Sequence, residues 1–140
     1  MATGDSQGPP PAGERVTVLL DSNIFIYAIQ PQFASLREWC LLQPICASDI
    51  SRLEVLGYHH LSDFDRRDLT ELFTLTNVYP VSSFIISRAI SLRQQRKMSL
   101  GDAVIAATAL EHQQVLATRN VADFDWIEGL SVVNPIKMKD

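Results

Sequence analysis

Apolar residues along this chain fall into short unbroken runs separated by longer stretches with helical spacing. Val16–Leu20 is an apolar run without polar alternation, the mark of a strand covered on both faces, as in a parallel sheet. Ile45–Ala47, Val115–Thr118 and Ser131–Val133 are shorter runs of the same kind, and Val78–Val81 is one that Pro80 restricts to a loop or a sheet edge. Between them the spacing predicts helices. Asn23–Ile29 stops before Pro31, and Phe33–Leu42 carries Leu36, Trp39 and Cys40 at helical intervals. Ser51–Leu61 follows, then Asp63–Thr76 with Leu69, Leu72, Phe73 and Thr76 along one face. Phe84–Lys97 gathers Ser87, Ser91, Gln94 and Gln95 on a polar face, and Leu100–His112 is rich in alanine. Strands alternating with helices predict an α/β fold around a mostly parallel sheet.

Composition narrows the class without naming a function. The 140 residues suffice for one compact domain with a real core, placed here at 15–140. Residues 1–14, rich in glycine and proline, read as a disordered tail or an expression remnant. No stretch approaches the apolar length of a membrane span, and the N-terminus lacks a basic-then-apolar secretory pattern, so a cytoplasmic protein is expected. Cys40 and Cys46 have neither zinc-motif nor redox-motif spacing and read as reduced thiols. With 12 basic and 16 acidic residues the net charge is −4, which argues against a cationic coat for nucleic acid but allows a local basic patch.

In open parallel sheets, ligands bind beyond the carboxyl ends of the strands. Asp21 sits at such an end. Glu54, in "ISRLEVLG", and Asp102, in "SLGDAVIAATAL", each fall in the predicted first turn of a helix, and Asp123 lies just past a strand. Singly, each has an ordinary role. Asp21 can cap the helix after it, Ser51-x-x-Glu54 and Ser99-x-x-Asp102 are spelled like capping boxes, and Asn120–Asp123 can be a turn. Jointly, they are expected along one rim of the sheet. Two carboxylates about 4 Å apart at an effective dielectric near 20 repel by roughly 4 kcal/mol, or about three pKa units. A divalent cation resolves such repulsion, and all-oxygen ligands point to Mg²⁺ or Mn²⁺ rather than zinc.

The segments "LLDSNIFIYA", "ISRLEVLG", "LGDAVIAATALEH" and "LATRNVADFDWIEGLSVVNP" resemble the successive signatures of a PIN domain, most closely the VapC-type ribonuclease toxins, from about Val16 to Pro135. The resemblance implies a three-layer α/β/α sandwich and an endoribonuclease dependent on Mg²⁺ or Mn²⁺. It implies that Asp21, Glu54, Asp102 and Asp123 are the acidic catalytic and metal-site residues, with Ser22, Asn23, Thr118 and Asn120 in flanking polar roles. Ser22 stands where the family more often has threonine. The resemblance also implies a homodimer, a cognate antitoxin protein, and an RNA substrate such as transfer or ribosomal RNA.

Other features weigh less. Arg88, Arg93, Arg96 and Lys97 crowd one predicted helix, but their angles spread too widely for a stripe, and the last three suit a helix C-terminus better than a phosphate patch. Arg119, in "TRN", is the stronger phosphate candidate. His59, His60 and His112 lack ligand spacing, and Phe33 and Trp39 read as core residues. Two other classes compete: a catalytically silent PIN-type module that binds RNA or protein, and a receiver-like signalling domain. The receiver reading expects paired early acids and a late lysine where Thr118-Arg119 stands.

Overall fold

A computed structural model describes residues 17–136; the tail expected over residues 1–14 lies outside them. The central sheet has five strands, all paired in parallel: β1 (Val18–Leu20), β2 (Ile45–Ser48), β3 (Asn77–Tyr79), β4 (Val115–Ala117) and β5 (Val132–Val133). Their spatial order is β3-β2-β1-β4-β5. The chain therefore winds outward from β1 to one edge and returns to start again at β4. The crevice between β1 and β4 is the switch point at which open α/β sheets bind their ligands. A receiver-like domain has the order 2-1-3-4-5, so the sheet excludes that reading.

Among the described residues six α-helices accompany the sheet: α1 (Ser22–Ala28), α2 (Ala34–Leu41), α3 (Asp49–Leu56), α4 (Asp63–Thr74), α5 (Ser83–Gln95) and α6 (Leu100–Glu111). Strand side chains alternate between faces, and the core divides accordingly. Val18, Leu20, Ile45 and Ala47 pack beneath Ile24, Phe25, Leu36, Leu69, Leu72 and Phe73 of α1, α2 and α4. Leu19, Cys46 and Leu116 face the opposite layer, where Ile85, Leu92 and the Ala103–Ala107 face of α6 meet Phe124 and Ile127. The result is a three-layer α/β/α sandwich. Phe25 and Phe73, both buried, stack with ring centroids 4.2 Å apart and tie α1 to α4. Phe33 and Trp39 are half-buried against the same layer.

Several boundaries differ from the sequence pattern by a residue or more, and three of them have a clear local reason. Helix α3 starts at Asp49 rather than Ser51, because Ser48 ends β2 in an extended conformation and caps the helix directly, its hydroxyl accepting from Ile50 N at 3.1 Å. It stops at Leu56 rather than Leu61, where the Gly57 amide closes the last turn onto Leu53 O. Helix α5 ends at Gln95 rather than Lys97, because Arg96 turns extended at φ −163°, ψ 149°, and Arg93 Nε donates to Met98 O at 3.0 Å. Pro80 follows β3, which is an edge strand.

Candidate active site

Asp21 directly follows β1 and is only 4% exposed. It caps α1: its Oδ1 accepts from Ser22 N at 2.8 Å, while Thr118 Oγ1, just past β4, donates to its Oδ2 at 2.7 Å. The Asp21 amide donates in turn to Ala117 O. Two neighbouring strand ends thus clamp one carboxylate at the switch point. Each carboxylate oxygen keeps a lone pair for another partner. Burial pushes the Asp21 carboxyl above its usual range, the Thr118 and Ser22 hydrogen bonds pull it back, and Glu54 and Asp123 push it up further.

Glu54 approaches from α3. Because that helix begins at Asp49, Glu54 lies in its second turn and no capping box forms; Ser51 is wholly buried within the helix. The Ser22 hydroxyl contacts both residues, at 2.6 Å from Glu54 Oε1 and 2.9 Å from Ser51 Oγ. A carboxylate only accepts, so the Ser22 proton goes to Glu54 and Ser51 completes the chain by donating to Ser22. The other oxygen, Oε2, rests against Gly101 so closely that a Cβ there would overlap it. A glycine in the first turn of α6 is therefore what lets Glu54 reach that helix.

Asp102 stands in the same first turn, where Ser99 caps the helix by accepting from Asp102 N at 3.1 Å. Its carboxyl is raised to about 6, first by burial, then by the charges of Asp21, Asp123 and Glu54. All three other acids therefore act on it. Asp123 is exposed at the end of a single 3-10 turn, Val121–Asp123, and shares a cleft with Asp102. The four acids come from β1, α3, α6 and the segment after β4, yet they do not form a closed cage. Among the described residues, no group of three His, Cys, Asp or Glu side chains stands in metal-ligating geometry. The set matches a hard cation by donor chemistry and mutual electrostatics rather than by preformed coordination.

The remaining polar candidates separate. Thr118 is fully buried and, besides holding Asp21, accepts from Asn120 N at 3.0 Å. Asn120 is exposed, and its carbonyl accepts from Asp123 N at 3.0 Å, which closes the turn carrying that acid. Asn23 is exposed in the first turn of α1. Arg119 lies over the Tyr27 ring, 5.0 Å from its centroid, and donates to the Tyr27 hydroxyl at 2.7 Å. It pairs with none of the four acids.

The sequence profile of the PIN domain family matches residues 18–128, which span all four acids. The chain is a PIN domain. Over 122 residues this PIN domain is 30% identical to Ribonuclease VapC10 of Mycobacterium tuberculosis, across 81% of this chain and 90% of that protein. It also superposes on a chain of a toxin–antitoxin complex from Klebsiella pneumoniae with a TM-score of 0.65 and 31% identity, covering 84% of this chain and 97% of the other. A chain of VapBC2 from Rickettsia felis, bound to a promoter DNA fragment, superposes with a TM-score of 0.75 at 21% identity, covering 85% and 98%. That likeness shows the fold.

Two residues of the PIN domain site escape a residue-by-residue reading of the sequence. Ser51 is legible there only as a cap, although its spacing from Glu54 also puts both side chains on one helix face. Gly101 carries a signal of its own, since glycine inside a helical pattern costs about 1 kcal/mol against alanine and calls for a close approach.

Proposed function

We propose that this PIN domain is a divalent-metal-dependent endoribonuclease, the toxin of a toxin–antitoxin pair. The observation that carries the reading is the position of Asp102, whose carboxyl is raised to about 6 partly by Asp21, Asp123 and Glu54, at the switch point of the sheet. A structural cap has no need of three other acids. The kinship with a protein named a ribonuclease, and the likeness to a chain of a toxin–antitoxin complex, supply the substrate class and the expected antitoxin.

Asp21 and Asp102 would hold Mg²⁺ or Mn²⁺, with Glu54 and Asp123 completing the acidic rim. The ion, when bound, polarises the phosphodiester and neutralises charge developing on its non-bridging oxygens. The chain's own contribution is alignment. Thr118 and the Ser22 amide fix the Asp21 carboxylate, while the Ser22 hydroxyl and Gly101 fix that of Glu54. Glu54 is thereby placed to orient an attacking water, and acids held in advance need no reorganisation during the reaction. RNA is the substrate, and an antitoxin would block the same rim.

The test is cleavage of purified RNA by the wild type and by Asp21→Asn and Asp102→Asn, in Mg²⁺, in Mn²⁺ and in EDTA. Metal-dependent cleavage lost in both variants is the expected result. Equal cleavage by both variants, or wild-type cleavage that survives EDTA, overturns the assignment.

A further inference from the structure

Two of the acids, Asp102 and Asp123, line a cleft of about 550 Å³ together with Trp126 and three cations, Arg93, Arg96 and Lys97. On a helix running to Lys97, as the pattern over Phe84–Lys97 predicts, all three would project from one face as i, i+3 and i+4 neighbours. The early end of α5 at Gln95 changes this, because Arg96 and Lys97 leave the helix and line the cleft from the loop before α6. Arg93 stays on the last turn and holds that loop through its bond to Met98 O.

These cations are free of carboxylates. Arg37, Arg52, Arg66 and Arg88 each pair with an acid, whereas Arg93, Arg96 and Lys97 pair with none among the described residues. Asp102 and Asp123, in the same cleft, lie beyond ion-pair distance of them. In a chain with net charge −4, three neighbouring cations left uncompensated are poised for an external anion. The arrangement is also partly preorganised. The Arg96 guanidinium stands over the Trp126 ring, 5.3 Å from its centroid, and the Trp126 indole N–H is anchored to Asp123 O at 2.9 Å. The arginine is thus positioned from the same turn that carries an acid of the site.

Resting on the ribonuclease reading, we propose that Arg96 and Lys97 bind backbone phosphates of the RNA strand next to the one cleaved at the acids. Arg93 braces their loop, and Trp126 is the positioning residue for Arg96. The cleft then gives the strand a direction, with cations gripping the flanking phosphates and acids facing the scissile one. Arg119, engaged with Tyr27, takes no part in this grip.

Binding is measured first, by anisotropy of a labelled single-stranded RNA with protein carrying Asp21→Asn, so that the substrate survives. Arg96→Ala with Lys97→Ala should weaken binding at least tenfold and flatten the log–log salt dependence by about 1.4, from roughly 0.7 for each phosphate no longer neutralised. Arg67→Ala, which removes an exposed unpaired charge from α4, should change neither. Trp126→Leu should weaken binding less than Arg96→Ala, Trp126→Phe should largely restore it, and the Leu variant should add nothing to Arg96→Ala. In the cleaving enzyme the Arg96/Lys97 pair should raise KM with kcat within about twofold. Unchanged affinity and salt slope overturn the grip, even if the wild type cleaves RNA. Absence of cleavage by the wild type with the binding effects intact fails the ribonuclease reading and leaves the grip standing. Loss of affinity for a poly-glutamate peptide with RNA binding unchanged also overturns it, by making these cations a docking site for acidic protein.

Discussion

Replacing Asp102 by Asn should stabilise the metal-free protein, and the size of the effect can be bounded. The Asp102 carboxyl titrates near 6 in the folded chain against 3.8 for an unperturbed aspartate. That difference corresponds to a ceiling of roughly 3 kcal/mol at neutral pH. The side chain is only part-buried, so solvent screening reduces this to about 1–1.5 kcal/mol. Asn also forfeits the favourable meeting of a negative charge with the α6 N-terminus, worth about 0.3–1 kcal/mol, which leaves a net gain of roughly 0.5–1 kcal/mol. The Ser99 cap is unaffected, because it uses the Asp102 backbone amide. The sign follows from proton uptake. Between about pH 4 and 6 the folded state binds the proton more tightly than the unfolded state, so wild-type stability falls as pH rises through the folded value. The Asn advantage should therefore be absent near pH 4, grow through pH 6, and be complete by pH 7.5. Thermal unfolding in EDTA at those three pH values should show a Tm gain of about 2–5 °C for the variant at pH 7.5. Adding Mn²⁺ should raise the wild-type Tm and erase or reverse the difference. A variant equal to or less stable than the wild type in EDTA at pH 7.5, or a gain that persists at pH 4, would refute the crowding argument.

Other expectations follow from single contacts. Gly101→Ala should cut RNA cleavage on the order of 10- to 100-fold by displacing Glu54. Because alanine favours the helix, urea unfolding should show stability kept or raised, and combined losses would point to a packing role instead. Thr118→Val removes a donor from a buried carboxylate and should cost about 1–3 kcal/mol in chemical denaturation, with the Asp21 carboxyl titrating higher still in a carboxylate NMR titration. Cys40 and Cys46 are buried, with thiols pushed up to about 12 and about 11, so a disulfide reagent at pH 8 should react with them only after denaturant is added.

The parallel sheet was legible because strands covered on both faces must be apolar throughout, and Val18–Leu20 and Ile45–Ser48 are buried at every position. The edge position of β3 was legible through Pro80. Helix starts were readable where a serine stands in a loop, as at Ser99, and misread where a strand runs straight into a helix. There Ser48 does the capping, and the Ser51-x-x-Glu54 spelling serves another contact. The convergence of the acids could be anticipated from strand ends; what fixes each one could not. The Thr118–Asp21 bond spans 97 residues of sequence, and the Glu54 approach to Gly101 joins two helices that no periodicity links. The place of the cations was hidden for a simpler reason. Arg96 and Lys97 reach the cleft from a loop rather than from a helix face, because α5 stops two residues early.

The most direct test of the central claim is to map RNA 5′ ends in cells after induced expression of the wild-type chain and of Asp21→Asn. Asparagine preserves the side-chain shape at the switch point while removing the charge that a metal ion would need. New ends at defined positions with the wild type, absent with the variant, are what a metal-dependent ribonuclease predicts. The same ends with both proteins, or new ends with neither, would contradict it.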